Sequence, residues 1–266
     1  MSKMNKKNNN LSRGIFWSLA LIFFMISLLQ LDIAPEKLAN IFSRTQRLLD
    51  NMFPPVIDDP INIAGAAIES LQIAVMGTLW GIIFSILLAF FAARNMTPHI
   101  SISYLVKALA AFVRAVPALI WALLFIIAVG LGPTPGILAL AVNSVGMLVK
   151  VYAEAIEEID QRVIDAIRAT GGSPIQVVMQ GVLPTISSIF ISWSVFRFDI
   201  NLRYATVLGV VGAGGIGWEL IRASRMIAYN EMLGITIVMF IMVLGAEYFT
   251  RFLKQRADLA TIRATK

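Results

Sequence analysis

The chain has 266 residues, of which 58% are hydrophobic and 14% charged, and its mean hydropathy is +0.78, values that define an integral membrane protein rather than a soluble domain. There is no cysteine, which excludes disulfides and thiolate metal sites, and with His99 as the one histidine neither a zinc site nor any other metal or cofactor is expected. The net charge of +6 does not point to nucleic acid, because the basic residues cluster at the ends of apolar runs, where they orient membrane spans.

Residues 1 to 13 carry Lys3, Lys6, Lys7 and Arg13 beside a run of asparagines, and predict a disordered, basic cytoplasmic tail. Residues 14 to 31 hold no charge; at about 1.5 Å per residue they reach about 27 Å, enough to span a bilayer. A basic tail before an apolar run also describes a signal peptide, but no A-x-A-like cleavage site follows, and an uncleaved first span is expected. Residues 32 to 66 space Leu38, Ile41, Phe42, Leu48, Leu49 and Met52 as one apolar helix face, which predicts an amphipathic segment on the outer membrane surface. Residues 67 to 250 read as the transmembrane domain proper. Its first span, about 68 to 93, contains Gly77 and Gly81 as a GxxxG pair suited to close helix packing. The next, about 104 to 131, should kink at Pro117 and carries Arg114 inside its apolar run, where an unpaired charge costs about 2.5 kcal/mol or more. Arg114 either snorkels to the headgroups or packs one end of the bundle. A Gly/Pro turn leads to a fourth span at about 137 to 153.

Residues 157 to 184 are the longest polar interruption in the second half. Val163, Ile164 and Ile167 alternate with Arg162, Asp165 and Arg168 as on an amphipathic helix, which Gly171 and Gly172 should stop. Ser173 as N-cap and Pro174 at the first helical position should start a second short helix, ended by Leu183 and Pro184. Such a hairpin is a knob suited to a groove on a soluble partner. The fifth span, about 184 to 210, holds Arg197, Asp199 and Arg203; charges inside a span face a water-filled path or one another, so a substrate path and an ion-pair cluster at a subunit interface are both open. Residues 212 to 217, GAGGIG, match the GxGxxG pattern, yet no strand precedes them. Gly212, Gly214, Gly215 and Gly217 instead predict irregular backbone lining a cavity at membrane depth. A sixth span follows at about 232 to 250, then a basic tail over 251 to 266.

Asp165, Ala166, Gly171, Leu183 and Pro184 reproduce the spacing of the cytoplasmic coupling loop of ABC-importer permeases, which reads Glu-Ala-Ala, Gly, then a hydrophobic residue and Pro. Asp165 replaces the usual Glu, and Ile167 the second Ala. The run from Ala205 to Gly217 resembles the phosphonate permease subset of that family, as do Met52-Phe53-Pro54-Pro55 and, for these permeases generally, Arg114-x-x-Pro117. The resemblance covers about residues 52 to 250. It implies an all-α, polytopic fold of about six transmembrane helices, the type I importer permease fold. It also implies two ATPase subunits gripping the 165–184 loop, a periplasmic or lipid-anchored substrate-binding protein, and a second permease copy forming a homodimer.

Six spans put both tails and the coupling loop on one side of a bacterial inner membrane, and the basic tails make that side the cytoplasm. With no G-x-x-x-x-G-K-[ST] stretch the chain does not cradle ATP itself, and it is read as a transport subunit rather than an enzyme. Arg197, Arg203, Arg222 and Arg225 would give an outer half-pore a positive potential suited to phosphonate, phosphite or phosphate. The rivals are a methionine or betaine permease of the same class, and an ion-coupled secondary carrier.

Overall fold

The computed structural model describes residues 2–30 and 39–264, and the side chains of 13–30, 39–252 and 254. Leu31 of the expected first span, residues 32–38 of the expected outer segment and residues 265–266 of the expected tail lie outside the described residues. The chain divides into two compact units, Met1–Phe53 and Pro54–Lys266, and every regular element described is helical.

In the first unit, α1 (Ser2–Gln30) contains an apolar stretch, Arg13–Gln30, long enough to cross a membrane. The expected disordered tail is therefore a correction: the helix runs back to Ser2. No proline interrupts residues 2 to 30, and the one glycine, Gly14 at the start of the apolar run, weakens a helix without breaking it, so a helix nucleated in that run can propagate into residues 2 to 13. Helix α2 (Ile41–Met52) is amphipathic, with exposed Phe42, Leu48 and Leu49 and no buried residue.

The second unit begins with α3 (Pro60–Ala92). It starts ahead of the expected residue 67, because the Asp59 side chain accepts a hydrogen bond from the Asn62 amide and Pro60 takes the first helical position. The expected third span is two helices, α4 (Ile100–Ala115) and α5 (Ala118–Val129), bent by 89° at Val116-Pro117. Proline lacks the amide that would continue the ladder and drives the preceding residue out of helical geometry. Then come α6 (Pro133–Glu157) and α7 (Gln161–Ala169), and a one-turn α8 (Pro174–Gln176) that passes through a π turn at Val177–Val182 into α9 (Leu183–Leu208). Leu183 and Pro184 thus continue a helix where an end was expected. Pro184 sits in the first turn of α9, where its missing amide is tolerated, and the π turn absorbs the change of register. Helices α10 (Ile216–Arg225) and α11 (Tyr229–Ala264) complete the unit, α11 extending through most of the expected tail. Among the described residues five helices are long and apolar enough to cross a membrane, or up to six with the bent pair as one span.

The centre of the second unit is the seam between α3 and α6. A Cβ at Gly77 would lie 2.6 Å from Leu140 Cβ, and one at Gly81 would lie 2.4 Å from Ser144 Cβ, so both glycines are required for the contact. Ala74, Ala89, Ala92, Ala139 and Ala141 are buried there, as expected where helices pack without a hydrophobic drive from water. Gly81→Val should destabilise the fold by about 1–3 kcal/mol through overpacking, read as a lower midpoint of thermal unfolding in detergent.

Candidate functional site

Two features stand out in the second unit, a hairpin between membrane helices and a cavity at the broken span. The hairpin is α7, a glycine turn and α8. Asp160 caps α7 through the Arg162 amide, and the Arg162 guanidinium at 2.8 Å holds the Asp160 carboxyl below the ordinary carboxylate range. Gly171 has φ +80°, the left-handed conformation that ends helices and favours glycine. Ser173 then forms a capping box with Gln176, its hydroxyl accepting from the Gln176 amide while the Gln176 side chain accepts from the Ser173 amide. Ile164, Val177, Val182 and Ile186 are buried inward. Asp165, Ala166, Ser173 and Pro174 are exposed, as are two large apolar side chains, Ile175 at 75% and Met179 at 59%.

Ile167, bulkier than the alanine of the motif it resembles, is accommodated by two glycines. A Cβ on Gly181 would lie 2.7 Å from Ile167 Cδ1, and one on Gly172 would lie 2.8 Å from Ile167 Cγ2. Sequence spacing alone did not reveal that Gly181 belongs with Ile167. Gly181→Ala is expected to loosen the hairpin by about 1–2 kcal/mol, and adding Ile167→Ala to restore most of it, a coupling that a double-mutant cycle in thermal unfolding would measure.

The second feature is a cavity of about 380 Å³ at the bend, bordered by Arg114, Pro117, Asn143, Met147, Arg197 and Tyr204. Arg197 is only 3% exposed. Its Nε donates to Ser144 Oγ at 2.9 Å, another guanidinium nitrogen to Asn143 Oδ1, and a third contacts Met147 Sδ at 3.5 Å. Ser144 Oγ donates to the Leu140 carbonyl and accepts from both Arg197 and Asn201 Nδ2, and Asn201 also donates to Thr78 Oγ1 at 2.8 Å. Every described partner of Arg197 is neutral. The first turn of α5, at Ala118 and Leu119, also borders the cavity, and the first amides of a helix have no partner within the helix itself.

The other expected path residues fall elsewhere. Asp199 pairs with Arg203 at 2.9 Å on a different side of α9, and Arg203 also stands 4.0 Å from Glu247 of α11. A single Arg197–Asp199–Arg203 cluster does not form, since residues two apart on a helix do not share a face. Arg222 is compensated by Glu219 at 2.9 Å and Glu231 at 3.3 Å. Gly212 and Gly214, both at positive φ, border a smaller cavity of about 230 Å³ with Leu131, Gly132 and Trp218. Gly215 and Gly217 are packing positions instead: a Cβ on Gly217 would lie 1.9 Å from the Thr206 carbonyl, and one on Gly215 would lie 2.3 Å from Ser70 Oγ. Asn143, Ser144 and Asn201 were missed as partners of Arg197. The available signal was that polar side chains inside apolar spans seek one another.

A bundle of helices long and apolar enough to cross a membrane, with a bent helix pair beside a cavity bordered by two arginines and a capped hairpin between candidate spans, defines a polytopic membrane protein. The sequence profile described as "binding-protein-dependent transport system inner membrane component" matches residues 81–258, and the chain belongs to that family. It is 43% identical over 223 residues to the phosphate-import permease protein PhnE of Mycolicibacterium smegmatis, a match covering 84% of this chain and 42% of the relative. It is 40% identical over 188 residues to the phosphite transport system permease protein PtxC of Stutzerimonas stutzeri, covering 71% and 68%. The chain therefore spans less than half of the mycobacterial relative and about two thirds of the phosphite permease. Its fold is similar to a chain of the inward-facing MetNI methionine ABC transporter, with TM-score 0.64 at 19% identity over 73% of this chain and 95% of that one. These likenesses agree with the expected type I importer permease fold.

Proposed function

We propose that this chain is the membrane-spanning permease subunit of an ATP-driven importer for phosphonate or a related oxyanion, phosphite or phosphate. The observation that carries the reading is the buried Arg197, which has no carboxylate among its described partners and borders a cavity shared with Arg114. A cation held in that way raises the affinity of the cavity for an anion, and a tetrahedral oxyanion matches the guanidinium fork. The names of the phosphate and phosphite permeases to which the chain is similar support the same choice.

Transport energy would come from two ATPase subunits, each receiving the exposed Ile175–Met179 face of one coupling hairpin, in a homodimer of this chain fed by a substrate-binding protein. The Arg94 amide donates to Glu157 and Asn95 Nδ2 to the Ile156 carbonyl, tying the loop after α3 to the end of α6 at the hairpin. That common end, with both basic termini, is assigned to the cytoplasm. Closure of the ATPase pair on nucleotide would move the hairpins and switch the pore between two accessible states.

Reconstitution in liposomes tests the whole reading. ATP-dependent uptake of radiolabelled methylphosphonate or phosphite is expected only when the ATPase and the binding protein are both present. Uptake by this chain alone would establish a secondary carrier instead, and uptake of methionine or betaine in preference to the oxyanions would reassign the substrate.

A further inference from the structure

A second cavity, again of about 380 Å³, lies at the end of α6 that leads into the hairpin, bordered by Arg94, Lys107, Arg114, Lys150, Glu154 and Glu157. Four basic residues face two carboxylates. Lys107 is committed to Glu157 at 2.7 Å, and Lys150 stands 3.6 Å from Glu154 with both side chains about half exposed. Arg94 lies over the Tyr104 ring at 5.6 Å and donates its backbone amide to the same Glu157, and among the described residues no carboxylate stands within ion-pair distance of its guanidinium or of that of Arg114. The cavity therefore has an excess of positive charge that its own acids do not cancel.

Arg114 is the one charged residue common to this cavity and the Arg197 cavity. Its position follows from the fold. A Cβ on Gly146 would lie 2.9 Å from the Arg114 amide nitrogen, so the missing side chain lets the last turn of α4 sit directly on α6, immediately before the bend. From Asn143 in the first cavity to Lys150 in the second is seven residues of α6, about 10 Å at 1.5 Å per residue.

The geometry points to a second oxyanion site, built from Arg94, Arg114 and Lys150 at the hairpin end of each subunit, which receives the anion from the Arg197 cavity by way of Arg114. This inference rests on the proposed oxyanion transport and deepens it. An anion leaving Arg197 meets a next cationic position before bulk water, so no step requires stranding a charge in the apolar span. The lysine and arginine groups bind phosphonyl and phosphoryl oxygens alike, whether from a free anion or from a lipid headgroup, and the free anion is the ligand assigned here because the cavity adjoins the Arg197 site.

The test measures binding of radiolabelled methylphosphonate to the full transporter complex in phosphatidylcholine nanodiscs, in phosphate-free buffer with the binding protein omitted. Wild type is expected to bind two anions per permease chain. The double variant Arg94→Gln/Lys150→Gln should weaken one of them about tenfold or more, Arg197→Gln the other, and Arg94→Lys/Lys150→Arg should restore the first. Co-purification with the ATPase subunits reports that each variant is assembled. Equal binding by wild type and the assembled Gln double variant overturns the second site while leaving oxyanion import standing. Displacement of methylphosphonate from the Arg94/Lys150 site by added phosphatidylglycerol makes it a lipid headgroup site and also overturns it. A wild-type complex that neither binds nor imports phosphonate or phosphite removes the underlying reading as well.

Discussion

Arg197→Gln is expected to lower oxyanion uptake by about 10- to 100-fold while leaving the transporter assembled, the magnitude following from the loss of one or two charge-assisted hydrogen bonds to the anion. The argument rests on how Arg197 is held. Its guanidinium is fixed by Ser144 and Asn143, and Ser144 is itself saturated by Asn201 and the Leu140 carbonyl, so the charge is presented to the cavity in one orientation. Glutamine can still bond to Ser144 but carries no charge. Arg197→Lys should recover only part of the uptake, because a compact ammonium cannot span Ser144, Asn143 and an anion as a planar fork does. Arg203→Gln makes the contrast: Asp199 already compensates that cation, so its loss should reduce stability more than anion uptake. Initial rates of radiolabelled phosphonate uptake against concentration separate the two, with Arg197 acting on uptake at every assembled level of protein.

The second large effect is expected at the hairpin. Ile175→Asp combined with Met179→Asp should weaken ATPase binding by about 100-fold or more, as for apolar anchors at the centre of an interface, and abolish ATP-driven uptake. Both side chains are exposed, so the substitutions should leave the thermal unfolding of the isolated chain almost unchanged. Pull-down of the ATPase subunits with the variant checks this directly. Retained binding would move the contact elsewhere on the hairpin, to the face carrying Asp165 and Ala166. Gly171 offers an independent handle, since a bulky residue at φ +80° forces the turn open without touching the apolar knob.

Much of this was legible from spacing. The N-cap and proline pair at Ser173–Pro174, the glycine stop, the break at Pro117 and the GxxxG seam each follow from backbone chemistry within a few residues, and each appears in the structure. The departures have equally local causes. Pro184, expected to end a helix, falls in the first turn after a π turn and continues it, and a polar tail without a proline continues the helix beside it. In the glycine-rich run Gly212 and Gly214 border a cavity while Gly215 and Gly217 stand at close contacts, because a missing side chain serves close packing as readily as open space.

By itself the sequence determined that the chain is helical and membrane-embedded, where its spans fall, and that a capped hairpin interrupts them, since apolar length, helix caps and glycine or proline stops act over a few neighbouring positions. Only the tertiary structure decided which charges are free. Arg203 and Arg222 each meet one carboxylate a turn away on their own helix, Asp199 and Glu219, and a second on α11, Glu247 and Glu231, whereas Arg197 meets neutral oxygens on α6, more than fifty positions away in sequence. Three arginines that look alike in a row of letters thus differ in net charge environment, because helix packing, with its contacts between distant segments, sets which partner each one finds.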